Sequence, residues 1–192
     1  MTSSAENDPQ VEKEEMIQDD GAGKRSPAAR AVSYILFVVM LVALDQWTKH
    51  LAVLHLKEQP AVSLIKGALE LRYLENNGAA FSILQGRQPV FFVLTAVFLT
   101  LFIWFCWRVP KTKKYLPLIM CMLFLSGGAV GNLIDRAAHS YVVDFIYISL
   151  IDFPIFNVAD IYVTLSVIAL VLLLMFRYKE SDMKFLHRRK DA

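Results

Sequence analysis

Four stretches of about twenty apolar residues decide what this chain can fold into. They cover residues 31–53, 89–107, 115–134 and 156–176. Each is long enough to cross ~30 Å of hydrocarbon as an α-helix, and a helix satisfies its own backbone where no water is available. Composition agrees: 56% of the 192 residues are hydrophobic, and the mean hydropathy is +0.43. An ordinary soluble domain is excluded. The formal net charge is only +2, so no nucleic-acid partner is expected.

The distribution of charge says more than its sum. Cations cluster at Lys24, Arg25 and Arg30, at Arg108, Lys111, Lys113 and Lys114, and at Arg177, Lys179, Lys184, Arg188, Arg189 and Lys190. With four spans, all three clusters fall on one side. The positive-inside rule assigns that side, and both termini, to the cytoplasm. Residues 1–30 are acidic then basic, without apolar period, and read as a disordered cytoplasmic tail. Residues 178–192 read as a basic cytoplasmic tail. The first apolar stretch leads into Asp45-Gln46-Trp47-Thr48-Lys49 and not into a small-residue cleavage site, so it reads as an uncleaved span.

Two connections then face outward, residues 54–88 and 137–155. In the first, Ala68-Leu69-Glu70-Leu71-Arg72-Tyr73 alternates as a strand does. Asn76-Asn77-Gly78 signals a hairpin turn, with a return strand expected over residues 79–84. The second holds Val142-Val143-Asp144-Phe145-Ile146-Tyr147-Ile148, rich in β-branched and aromatic residues. The expected fold is mainly α: a four-helix transmembrane bundle carrying a small extracytoplasmic antiparallel β-sheet.

Helical rise places the polar residues in depth. Counted from Arg30, Asp45 lies ~22 Å and Lys49 ~28 Å up the first span. Asn132 lies ~27 Å above Lys114, and Asp160 ~25 Å above Arg177. Asn76 and Asp144 lie in the outward connections. Separate polar motifs thus converge on the outer interface, which argues for one site open to water and to the outer leaflet. Asp45 and Lys49, and Asn132 and Arg136, are spaced i, i+4 on shared helix faces. Asn157 and Asp160 are spaced i, i+3. The Gly127-Gly128-Ala129-Val130-Gly131 run lets its helix approach a neighbour closely, a packing role.

Asp144 and Asp160 are the candidate reactive pair. A carboxylate near hydrocarbon is costly to ionise, and two that share one proton can activate a water for hydrolysis. Taken alone, the pair is also compatible with a structural hydrogen-bonded contact. Asp45 and Lys49 could equally form an ion pair closing the first span. Asp135 reads as a structural helix-end residue and Asp152 as a solvated loop residue, with Tyr147, Phe153 and Phe156 as interface aromatics. Cys106 and Cys121 lie in apolar stretches and read as free thiols. His50, His55, His139 and His187 have no metal-ligand spacing, so no metal is expected. Ser126 and Ser166 have no Lys or His at helical spacing to activate them.

Five motifs occur in order: Asp45-Gln46-Trp47-Thr48-Lys49, Asn76-Asn77-Gly78-Ala79-Ala80-Phe81-Ser82, Gly127 through Arg136, Val142-Val143-Asp144-Phe145 and Phe156-Asn157-Val158-Ala159-Asp160. Across residues 31–177 the chain resembles the lipoprotein signal peptidases, the type II signal peptidases of bacteria. The resemblance implies an aspartic intramembrane endopeptidase without cofactor in the bacterial inner (cytoplasmic) membrane, its site near the outer leaflet. It implies substrates that are diacylglyceryl-modified prolipoproteins, cut just before the lipidated cysteine. Asp144 and Asp160 match the catalytic pair. Asn157, Asn132 and Arg136 match residues that line and order the site, and Asp45, Lys49 and Asn76 match supporting or substrate-contacting residues. The expected partners are these substrates and membrane lipid, and the expected unit is a monomer. The alternative is a small proton-coupled carrier relaying protons through its carboxylates. Against it stand the lack of a repeat between halves and the clustering of polar groups at one face.

Overall fold

The computed structural model of the chain describes residues 26–78 and 88–186. Among the described residues, four helices are long and apolar enough to cross a membrane: α1 (Pro27–Leu56), α2 (Gln88–Arg108), α3 (Leu116–His139) and α4 (Val158–Phe176). Three strands, β1 (Val62–Ile65), β2 (Leu69–Asn76) and β3 (Val142–Tyr147), form one antiparallel sheet in the order β1-β2-β3. This is the four-helix membrane bundle with a small sheet that the hydropathy pattern predicts.

The described residues up to Ile35 and those from Leu36 onward form two compact units. In the first, α1 opens earlier than the apolar period suggests. Ser26 Oγ accepts from Ala29 N at 3.1 Å, with Pro27 at the first helical position, where its missing N–H costs nothing. Everything that follows concerns the second unit.

α3 is the most buried of the four helices, and its glycines explain how neighbours reach it. A Cβ on Gly127 would stand 2.9 Å from Leu41 Cβ of α1. One on Gly128 would stand 2.5 Å from Ala159 O of α4, and one on Gly131 2.5 Å from Asp45 Oδ2. The packing role expected of this run is thus met by backbone approach on two sides. Phe124 extends the contact as an edge-on partner of both Phe37 and Tyr162.

The sheet rests on the end of α1: Ala52 and Leu56 are buried with Val143 and Phe145, against Leu71, Tyr73 and Val158. β1 and β2 join through a hairpin turn at Ile65–Ala68. Ala68 N donates to Ile65 O at 2.9 Å, and Gly67 takes φ +73°, which a type II turn requires at its third residue. Asn76 ends β2 opposite Val142 of β3. The return strand expected at residues 79–84 lies outside the described residues.

At the far end of the bundle, residues after α4 fold back. Tyr115 and Tyr178 stack at 5.7 Å, Phe185 meets Tyr115 edge-on at 5.5 Å, and Lys114 pairs with Asp182 at 2.6 Å.

Candidate active site

The site is assembled where α1, α3 and α4 end at the sheet. α4 starts with a capping box: Asn157 Oδ1 accepts from Asp160 N at 3.0 Å, and Asp160 Oδ2 accepts from Asn157 N at 3.1 Å. This satisfies backbone donors that a helix start leaves open, and it fixes both side chains. The preceding residue is locked as well. Phe156 exchanges hydrogen bonds with Ile146 at 2.8 and 3.0 Å, which ties the start of α4 to β3.

β3 carries Asp144, and β2 brings Asn76 beside it. Asn76 pairs with Val142, so Asp144 is its diagonal neighbour on the same face. Asn76 Nδ2 donates to Asp144 Oδ2 at 2.7 Å. Asn157 Nδ2 donates to Asp144 Oδ1 at 2.6 Å and to Asn132 Oδ1 at 3.1 Å. Asn132 Nδ2 in turn donates to Asp160 Oδ1 at 2.8 Å. The two aspartates are therefore joined through a chain of two asparagine amides, in which Asn157 touches both aspartates and Asn132 holds Asp160.

Below them lies a buried ammonium. Lys49 Nζ meets Asp45 Oδ2 at 2.8 Å, Asp135 Oδ2 at 3.0 Å and Asn132 Oδ1 at 2.9 Å, using all three of its donors. Asp45 Oδ1 accepts from Ala159 N at 2.9 Å, so a carboxylate of α1 sits at the positive end of the α4 dipole. Asp135 Oδ2 accepts from Val143 N at 3.1 Å, one residue before Asp144.

Arg136 closes the ring. Its Nη1 donates to Asn132 O at 3.3 Å and its Nη2 to Gly78 O at 3.0 Å, while the guanidinium lies 4.1 Å from the Phe91 ring of α2. Gly78 N donates to Asn76 Oδ1 at 3.0 Å. The Asn-Asn-Gly signal is thus an Asx-type turn that presents a carbonyl to Arg136. All eight residues singled out from the sequence belong to this one network.

Two further members were not assigned to it. Asp135, read as structural, is the second carboxylate on Lys49. Gln46 Nε2 donates to Asp135 Oδ1 at 2.8 Å and to Gly131 O at 3.1 Å. Its signal in the sequence is an amide inside an apolar span, where polar side chains join helices.

Burial sets the electrostatics. Asp45 and Asn157 are fully buried and Asp144 is 2% exposed. Burial pushes the Asp144 carboxyl up to about 7, and the neighbouring Asp160 charge adds to the rise, against the hydrogen bonds from Asn76 and Asn157. A carboxyl that holds its proton near neutrality beside a second carboxylate at a helix start can both donate and accept protons.

The sequence profile of the family described as signal peptidase (SPase) II matches residues 37–176. A protein of Streptococcus thermophilus (strain CNRZ 1066) named lipoprotein signal peptidase is 39% identical over 76% of this chain and 94% of its own length. One of the same name from Streptococcus pyogenes serotype M5 (strain Manfredo) is 42% identical over 78% of this chain and 95% of its own. Two solved chains, both titled as bacterial membrane enzymes obtained by the in meso method, superimpose with TM-scores of 0.66. One is 31% identical and covers 83% of this chain and 93% of its own; the other is 33% identical and covers 76% and 94%. Profile, relatives and fold agree, and this multi-pass membrane protein belongs to the signal peptidase II family of peptidases.

Proposed function

We propose that the chain is an aspartic endopeptidase that removes the signal peptide from diacylglyceryl-modified prolipoproteins, cutting before the lipidated cysteine, with residues 31–177 as its peptidase domain. The observation that carries this reading is the amide chain that runs from Asp144 through Asn157 and Asn132 to Asp160.

Asp144 holds the proton at rest, and Asp160 acts as the base. Asp160 takes a proton from a water as its oxygen bonds to the scissile carbonyl carbon, and Asp144 gives its proton to the carbonyl oxygen. The resulting gem-diol collapses: the C–N bond breaks, Asp160 hands its proton to the leaving nitrogen, and a diol hydroxyl returns one to Asp144. The pair ends as it began. Asn157 and Asn132 keep the carboxylates in register through this exchange, and Lys49 offsets the surrounding negative charge. Arg136 and Asn76 hold the segment at Gly78 against the site.

The basic clusters support a location in the bacterial cytoplasmic membrane with both termini inside and the site near the outer leaflet. The lipid tails of a substrate can then stay in the bilayer while its peptide bond reaches water. The test is cleavage of a lipidated precursor peptide by detergent-purified protein, with no ion gradient. Product formation excludes a gradient-driven carrier, and a protein inert without a gradient overturns the peptidase reading.

A further inference from the structure

At the end of α4 remote from the aspartates, α3 and α4 part to leave an open groove of about 950 Å³. Met120 and Cys121 line it from α3, and Ala169, Leu172 and Phe176 from α4, with Arg177 at its end. Leu172 is 50% and Phe176 78% exposed, so the lining faces the hydrocarbon. From Ala169 to Phe176 the groove rises ~10 Å, within a single leaflet of ~15 Å. That depth suits an acyl chain and is too short to seat a crossing helix.

The end of the groove carries charge. Arg177 is exposed, and its side chain makes no hydrogen bond or ion pair among the described residues, whereas nearby Lys114 is held by Asp182. A guanidinium at headgroup height presents a fork that matches phosphate oxygens. The groove begins ~14 Å along α4 from Asp160 and ends ~25 Å from it, so it does not belong to the aspartate site.

We propose that this groove holds an acyl chain of an anionic phospholipid from the leaflet opposite the active site, its phosphate against Arg177. The lipid would fill a concavity between the helix that carries Asn132 and the helix that carries Asp160.

The test counts lipid molecules retained by the purified full chain in native mass spectrometry. Phosphatidylglycerol is compared with phosphatidylcholine of the same chains. The native protein should hold phosphatidylglycerol about fivefold more tightly, the preference one cation supplies near a headgroup. Arg177→Gln should erase the preference, and Ala169→Phe should weaken retention of both lipids. Equal retention of the two lipids by native protein, a preference that survives Arg177→Gln, or undiminished retention by Ala169→Phe overturns the proposal.

Discussion

Asn157 Nδ2 stands 2.6 Å from Asp144 Oδ1. The same side chain caps α4, its oxygen accepting from Asp160 N at 3.0 Å. One amide therefore sets the position of both carboxylates, and it is fully buried.

Asn157→Ala should lower kcat by about 100-fold, the cost of a reacting group displaced by ~1 Å, and change KM far less. Steady-state kinetics on a lipidated precursor peptide reads the split. A kcat near the native value would show that the aspartates keep their geometry without the amide.

Asp144 should give the protein a specific pH dependence. Its carboxyl is pushed up to about 7 by burial and by Asp160. Between pH ~4 and ~7 the unfolded chain gives up this proton while the folded protein keeps it, so stability falls by a few kcal/mol across that window and the loss is complete above it. Thermal unfolding in detergent should therefore decline more steeply from pH 5 to 8 for native protein than for Asp144→Asn. Cleavage should also slow above pH ~7 as the acid form is lost. Parallel stability profiles for the two proteins would contradict the assignment.

Lys49 offers a test of the buried charges. Lys49→Met leaves Asp45 and Asp135 facing each other without their shared cation, at a cost of about 3–5 kcal/mol. The double variant Lys49→Met with Asp45→Asn should recover part of that loss, because the two sites act as one unit. Unfolding temperatures of the single and double variants check this, and simple additivity would refute the coupling.

Much of this architecture was legible in the sequence for a physical reason: hydrocarbon demands long apolar helices, and polar residues within them must find each other. That logic brought Asp45, Lys49, Asn132 and Asp160 to one depth before any coordinates. It did not separate Asp135 from an ordinary helix end, because its partners Lys49 and Gln46 lie on another helix and its third partner is the backbone of Val143. Gln46 escaped for the same reason. The turn at Gly67 was not foreseen, because Asn76-Asn77-Gly78 carries turn chemistry as strong as that of Gly67. Only the pairing of Asn76 with Val142 shows that the former ends a strand at the site. The early start of α1 was readable in Ser26-Pro27, but an apolar period cannot register a cap.

The proposed topology rests on the same charge pattern. Gln59 and Ser181 are both exposed and lie toward opposite ends of the bundle. Cysteines introduced at the two positions should differ in labelling by a membrane-impermeant reagent in intact cells, with Gln59→Cys labelled and Ser181→Cys protected. Equal labelling would contradict the orientation with both termini inside.

The central claim is that Asp144 and Asp160 perform the hydrolysis together, one as acid and one as base. The most direct measurement is the initial rate of signal-peptide release from a diacylglyceryl-modified precursor by native protein, Asp144→Asn and Asp160→Asn, each purified and shown to be folded. The substitution keeps shape and removes titration. Both variants should lose at least 100-fold in rate, the range for removal of a positioned acid or base, and neither should be rescued by a change of pH. Either variant cleaving within about tenfold of native would contradict the shared mechanism.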